Sequence, residues 1–253
     1  MGVYIGSSFG YLTLDSWVMA KIIQLATMDF CRKFLNHEND PCGRQFDQTT
    51  QAARSAAANI AEGSSRSSTS KETQLRLLDV ARGSLSEVLD DFLFFLLDQK
   101  QRAWPDENPD AIAIRATRLS TPKIGKSMMH DASDNVLVQK EKFDKWLNSD
   151  NLIIQANTII ILCERVIKML RSQMESILKL FEEEGGFTEN MTDTRLKARQ
   201  KQEEENGAPR CRECGSIMIK YTAKKGINAG QQFWGCSNFR HTGCKYTLPI
   251  SDG

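Results

Sequence analysis

The spacing of hydrophobic residues predicts that most of the chain is helical. Four long segments carry apolar side chains three and four residues apart, which is the period of an amphipathic helix. The first covers 14–35 and the second covers 44–62, where Gly63 is expected to end the helix. The third has its apolar stripe at 78–96 and the fourth at 156–181. We therefore predict a mainly α fold in which residues 11–186 form an antiparallel four-helix bundle.

Three other segments depart from this pattern. Residues 104–150 separate the third and fourth long helices, and we expect an insertion there with a short helix that Asn108 caps and Pro109 begins. Residues 187–207 are charged and poor in apolar side chains, which predicts a charged linker, either a solvated helix or a flexible segment. From 208 onwards glycine, aromatic and β-forming residues dominate, so we place a domain boundary there.

Composition and charge are those of an ordinary globular chain. Of the 253 residues, 40% are hydrophobic and 26% are charged, and the formal net charge of +1 does not by itself indicate a nucleic-acid or membrane partner. No uninterrupted apolar run reaches the roughly 18 residues that a membrane-spanning helix needs. The first residues also lack the basic head and apolar block of a signal peptide. We therefore expect no membrane association and a cytoplasmic location.

The cysteine spacing adds a metal site to this picture. Four of the seven cysteines fall together near the end of the sequence: Cys211, Cys214, Cys236 and Cys244. They form a Cys-x2-Cys pair and a second pair, separated by a predicted hairpin at 216–234, which is the pattern of a zinc ribbon with four thiolate ligands. A closed site of this kind implies one structural Zn²⁺. His241 is an alternative to Cys244 as the fourth ligand, and we favour Cys244.

The same C-terminal segment combines basic and aromatic residues. From 207 onwards, seven Lys or Arg residues accompany two acidic ones. Because basic groups bind phosphates and exposed aromatic rings stack on bases, we predict that this segment binds DNA or RNA. About half of its aromatic residues, with Phe233 and Trp234 foremost, are expected to form the small core. The predicted nucleic-acid contacts are Lys220, Tyr221, Lys224, Lys225, Trp234, Phe239, Arg240 and Lys245.

The C-terminal segment also resembles a known module. The stretch CRECGSIMIKYTAKKGINAGQQFWGCSNFRHTGCKYT, and its run GQQFWGCSN in particular, is similar to the four-cysteine zinc finger appended to type IA DNA topoisomerases. The resemblance covers 208–250. It implies a module that helps to bind DNA, often single-stranded, and that does not cut it.

The helical part resembles a second family. The stretch QTTQAARSAAANIAEGSSRSSTSKETQLRLLDVARGSLSEVLD is similar to the four-helix-bundle proteins encoded by ribosomal-RNA intervening sequences, a group that includes the accessory protein of diversity-generating retroelements. The resemblance implies a pentameric ring and, in the retroelement member, a basic surface that engages RNA and a reverse transcriptase. Among the residues that match the family are Gln48, Asn59, Glu62, Gly83 and Ser84, and we expect them to serve helix packing or subunit contacts in preference to a chemical role.

The charge of the helical part differs from that family. Family members often carry paired arginines just after the glutamine that matches Gln48, whereas this chain has Thr50 and Gln51 there. Between 43 and 102, eight basic residues are balanced by eight acidic ones. The helical part is therefore a weak candidate for phosphate binding.

No sequence signal indicates an enzyme. The three histidines do not belong to any recognisable pattern of nucleophile, base and acid in the sequence, and phosphate-binding loops and hydrolase motifs are absent. We expect no catalysis, and no topoisomerase activity in particular. The favoured hypothesis is an oligomeric adaptor whose zinc ribbons bind nucleic acid. The alternative is a protein-interaction scaffold, or accessory factor, that docks onto a nucleic-acid-processing enzyme such as a reverse transcriptase.

Overall fold

The protein is mainly helical, with one small three-stranded antiparallel sheet near the C-terminal end. A computed structural model describes residues 9–67, 70–184 and 187–250, with the backbone alone at 182–184 and 187–193. The chain divides between Glu184 and Gly185 into two compact units. We call them the helical unit and the C-terminal unit. In the part of the chain that the structure describes, no helix is both long enough and apolar enough to cross a membrane.

The helical unit is organised around four long helices and three shorter ones. A 3₁₀ turn at Gly10–Thr13 precedes them. In chain order the helices are α1 (Asp15–Phe34), α2 (Arg44–Arg66), α3 (Lys71–Asp98), α4 (Pro109–Ala116), α5 (Met128–Glu141), α6 (Asp144–Leu147) and α7 (Leu152–Glu184).

The long helices contact one another in a ring. Both α1 and α3 pack against α2 and against α7. Their apolar stripes meet in one core, where the side chains of Met19, Ile60, Leu85 and Leu162 are completely buried. The three- and four-residue spacing seen in the sequence therefore corresponds to the buried faces of these helices.

The insertion at 104–150 shares this core. Asn108 caps α4 as predicted, since its Oδ1 accepts hydrogen bonds from the N–H groups of Asp110 and Ala111 at 2.9 and 3.1 Å. Helices α4 and α6 pack on α7, and α5 packs on α1. Trp146 donates its indole N–H to Asp110 Oδ1 at 2.8 Å, which ties α6 to α4. The insertion is therefore an integral layer of the helical unit.

The predicted end of α2 at Gly63 is wrong. The helix continues to Arg66, and Gly63 lies buried within it. A Cβ atom at this position would stand 3.4 Å from the backbone oxygen of Gln74 and 3.4 Å from Leu77 Cβ. The glycine therefore serves the close approach of α2 and α3, a packing role that local sequence cannot distinguish from helix termination.

The C-terminal unit combines a helix with the sheet. Its elements are α8 (Phe187–Glu205), β1 (Met218–Thr222), β2 (Gln232–Cys236), α9 (Phe239–Thr242) and β3 (Thr247–Pro249). The predicted hairpin is present as β1 and β2, with Lys220 opposite Trp234, and β3 pairs with the other edge of β2. The segment expected to be a charged linker contains α8, which contacts β1.

Candidate metal centre and basic groove

The first cysteine pair lies on a tight backbone turn. Cys211 donates its N–H to the carbonyl oxygen of Ser216 at 2.8 Å, and Gly215 donates its N–H to the carbonyl oxygen of Cys211 at 2.9 Å. Gly215 has φ of +71°, a conformation that favours glycine. The CRECGS sequence thus folds back on itself and brings Cys214 beside Cys211.

The second pair comes from the end of β2 and from the segment after α9. Cys236 is the last residue of β2, opposite Met218 on β1, and its N–H donates to the carbonyl oxygen of Tyr246 at 3.1 Å. Gly243, with φ of +74°, ends α9 and directs the chain to Cys244. The sheet and the short helix together place these two thiols.

The four sulfur atoms form one cluster. Their mutual distances are all within 4.8 Å, and Cys214 Sγ lies 3.3 Å from Cys236 Sγ, while Cys211 Sγ lies 3.7 Å from Cys244 Sγ. Four thiolates around one tetrahedral Zn²⁺ would lie about 3.8 Å apart, given a metal–sulfur distance of about 2.3 Å. The cysteines are not disulfide-bonded. The cluster therefore has the donor set and the dimensions of a possible metal site, and its fourth member is Cys244, not the exposed His241.

The thiols of the cluster differ in acidity. Hydrogen bonds from the hydroxyl and the backbone N–H of Ser216 lower the pKa of Cys214 to about 6. Burial raises the pKa of Cys236 to about 12. Cys214 therefore has the thiol that loses its proton most readily, and a cation that binds all four sulfurs must displace the proton of Cys236 in particular.

A groove of about 860 Å³ adjoins the cluster, and residues of α8, β1, β2 and the 237–247 segment line it. No carboxylate occurs among the described residues that form its lining. Its walls instead carry cations and aromatic rings: Arg195, Arg199, Lys224, Arg240 and Lys245, with Tyr221, Phe233, Phe239 and Tyr246.

The structure brings five of the eight predicted nucleic-acid contacts into this groove. They are Tyr221, Lys224, Phe239, Arg240 and Lys245.

The other three predicted contacts lie elsewhere in the C-terminal unit. Lys220 Nζ lies 5.0 Å from the ring centroid of Trp234, across the β1–β2 pair. Trp234 itself packs against the small core with Met218, as expected for one of the core aromatics. Phe233 lines the groove instead, and Lys225 is exposed in the turn between the strands.

Sequence reasoning missed two arginines on α8. Arg195 and Arg199 are four residues apart, which places them on one helical face, and both line the groove. The four-residue spacing of these arginines could have predicted a basic helical face, but the high charge of the segment indicated only that it is exposed to solvent. Its mixture of opposite charges concealed the fact that one face is basic.

The interface candidates of the helical unit divide into two groups. Asn59 Nδ2 donates to the carbonyl oxygen and the hydroxyl of Ser55 at 2.9 and 3.1 Å, and Ser84 Oγ lies 3.2 Å from the same hydroxyl. The Asn59 contacts lie within α2, and the contact between Ser84 and Ser55 links α2 to α3 within the chain. Gln48, Glu62 and Gly83 are exposed, and a Cβ at Gly83 would meet no atom within 4 Å.

No family model, curated protein or solved structure matches this chain.

The cluster geometry predicts which side chain completes the metal site. Replacing Cys244 with Ser should weaken Zn²⁺ binding by more than the roughly 10–100-fold that is typical of replacing a residue that only contacts a ligand, because it removes a ligand itself. His241→Ala should leave the affinity unchanged, as should Cys42→Ser, a control at an exposed cysteine of the helical unit. Competition with a chromogenic chelator measures all three. An equal loss in His241→Ala and Cys244→Ser would contradict the assignment.

Proposed function

We propose that this protein is a non-catalytic, oligomeric adaptor that binds nucleic acid through a zinc-stabilised C-terminal unit. The observation that carries the proposal is the groove beside the cysteine cluster, which contains five cations and several aromatic rings without a carboxylate in its described lining. Phosphates and bases are the partners that such a surface suits.

The sulfur cluster supports Zn²⁺ as the metal. Four thiolates in a compact, partly buried arrangement suit zinc, and a tetrahedral site filled by protein ligands has no open position for a substrate. The proposed metal is thus structural. Through Cys211, Cys214, Cys236 and Cys244 it would hold together the CRECGS turn, β2 and the segment after α9. The sequence resemblance to the topoisomerase-type finger agrees with this ligand set.

The helical unit is the proposed assembly module. The ring of contacts among α1, α2, α3 and α7 supports a four-helix bundle, and the short connections from α1 to α2 and from α2 to α3 favour antiparallel packing of these neighbours. The resemblance to the intervening-sequence proteins then implies a homo-oligomer, specifically a pentamer. Several C-terminal units in one assembly would bind a long strand with greater avidity than a single unit.

A stripe on the outer face of α3 supports assembly independently of that resemblance. Val80, Gly83, Glu87, Phe94 and Leu97 recur at helical spacing, and all five are exposed. Phe94 is 63% exposed and Leu97 is 59% exposed. Val80 lies one turn from Gly83, and Phe94 and Leu97 lie one turn from each other, about 16 Å further along α3. Large exposed apolar side chains on one helical face are typical of protein–protein contacts.

The same stripe is also the observation that favours the alternative function. If it covers a different protein instead of a second copy, the chain is a scaffold or an accessory factor for a nucleic-acid-processing enzyme. In that case the groove would bind that protein mainly through its aromatic rings, and binding through apolar contacts depends little on salt.

Nucleic-acid binding predicts a steep salt dependence. The zinc-loaded protein should bind labelled single-stranded DNA or RNA. The slope of log K against log salt concentration should be about −0.7 for each neutralised phosphate, or about −3.5 if all five groove cations bind phosphates. Replacing Lys224 and Arg240, which both line the groove, with Glu should weaken binding at least about tenfold at low salt. Fluorescence anisotropy across a salt series measures both effects.

A matched control separates the groove from general electrostatics. Replacing Lys197 and Lys201 with Glu makes the same charge change on exposed positions of α8 that do not line the groove. The control variant should lose much less affinity for nucleic acid than the groove variant. Absence of binding to either nucleic acid at low salt, or equal losses in the two double variants, would contradict the proposed function.

The assembly proposal predicts an oligomer that depends on the α3 stripe. By sedimentation equilibrium the protein should have about five times the mass of one chain, as the family resemblance implies. Gly83→Arg should dissociate it without unfolding the chain, because the space beside Gly83 is open within one copy. Ala116→Arg, at an exposed position of α4, is the control. A wild-type monomer, or an unchanged mass for Gly83→Arg, would count against this interface.

A further inference from the structure

One wall of the basic groove comes from outside the predicted zinc ribbon. Arg195, Leu196 and Arg199 of α8 line the groove, although this helix precedes the first cysteine of the cluster. The helix therefore contributes to the site a basic face that the cysteine-containing segment cannot supply by itself.

Helix α8 contacts β1 through Arg199 and the segment before the cysteine cluster through Glu204. Arg199 donates from its guanidinium to the carbonyl oxygen of Lys220 at 2.7 Å, and its Cζ lies 5.4 Å from the ring centroid of Tyr221. Near the end of the helix, Glu204 pairs with Arg210 at 2.7 Å, one residue before the cysteine cluster begins. Arg195, one turn before Arg199, is thereby held at the groove.

The aromatic side of the groove is built on a glycine. A Cβ at Gly235 would come within 2.9 Å of the Tyr221 ring, so the ring rests directly on the β2 backbone. Tyr221 also lies 6.0 Å from Phe233, ring centroid to ring centroid. Tyr221 is therefore engaged by the protein itself, as a support for Arg199. Phe239, at 55% exposed, is the groove aromatic with the largest free surface.

We propose that α8 and the sheet together form a clamp for single-stranded nucleic acid, in which Arg195 and Arg199 bind phosphates and Phe239 stacks on a base. This inference rests on the proposed nucleic-acid function and extends it to a helix that the sequence presents as a charged connector. The functional unit of recognition then comprises residues 187–250, and not the zinc ribbon alone.

The combination of groups favours a single strand over a duplex. In a duplex the faces of the bases are stacked on one another. An aromatic ring of the protein therefore cannot stack on a base unless that base is first taken out of the stack. A single strand exposes base faces and phosphates together, and proteins that bind it without sequence preference combine a basic groove with stacking aromatics. The groove of this protein combines basic side chains and aromatic rings within about 860 Å³.

The clamp is tested with two substitutions on the same helix. Arg195→Gln and Lys197→Gln each remove one positive charge from α8, and only Arg195 lines the groove. The probes are a labelled oligothymidine of about 20 nucleotides, longer than one groove requires, and a duplex of equal length. Anisotropy is measured with the full-length, zinc-loaded protein across a salt series. Phe239→Ala tests stacking separately.

The proposal expects tighter binding to the single strand than to the duplex. Arg195→Gln should weaken oligothymidine binding several-fold and reduce the salt slope by about 0.7, the value of one phosphate contact, whereas Lys197→Gln should leave the slope nearly unchanged. Phe239→Ala should weaken binding by roughly 5–100-fold, the loss of one stacked base, with the salt slope preserved.

Two results would overturn the clamp while leaving the proposed function intact. In the first, the wild-type protein binds oligothymidine but Arg195→Gln and Lys197→Gln weaken that binding equally. In the second, the wild-type protein binds the duplex as tightly as the single strand. Failure of the wild-type protein to bind either probe at low salt would overturn the proposed function together with the clamp.

Discussion

The C-terminal unit depends on what holds its four cysteines together. Among its described side chains, only four hydrophobic ones are buried: Cys211, Met218, Ile219 and Cys236. Two of these are members of the sulfur cluster, and the other hydrophobic side chains that pack against them, including Trp234 and Leu248, are only partly buried, so the apolar core is very small apart from the candidate metal site. A core of this size cannot offset the conformational entropy of ordering the sheet and its loops. Coordination of one Zn²⁺, with an apparent free energy of about 10–16 kcal/mol in small zinc modules, would supply what is missing.

The same cluster determines the position of the groove residues. Phe239 and Arg240 lie on the short helix between Cys236 and Cys244, and Lys245 directly follows Cys244. Their placement therefore follows from the placement of the two thiols on either side. The helical unit is different, because its long helices bury a continuous apolar core that needs no metal. In this account, one unit assembles copies of the chain and the other depends on zinc to present a binding surface.

The sequence predicted those features that depend on local pattern. Apolar periodicity located the four long helices, the Asn108–Pro109 pair located the start of α4, and the two cysteine pairs indicated the cluster and the hairpin between them. The sequence did not predict the features that depend on tertiary contacts. Gly63 has the local signature of a helix end and is instead a packing position, and β3 is only three residues long and includes Pro249. Arg195 and Arg199 of α8 can be recognised as groove residues only from the folded unit, in which this helix contacts β1.

The most direct test of the central claim is hydrogen–deuterium exchange on the full-length protein before and after removal of zinc by a chelator. The account predicts that chelation abolishes amide protection in β1, β2 and β3 while the amides of α1, α2, α3 and the first half of α7 keep theirs. Restoring Zn²⁺ should restore protection in the strands. Strands that remain protected in the zinc-free protein would contradict the claim, because the sheet would then be stable without the metal.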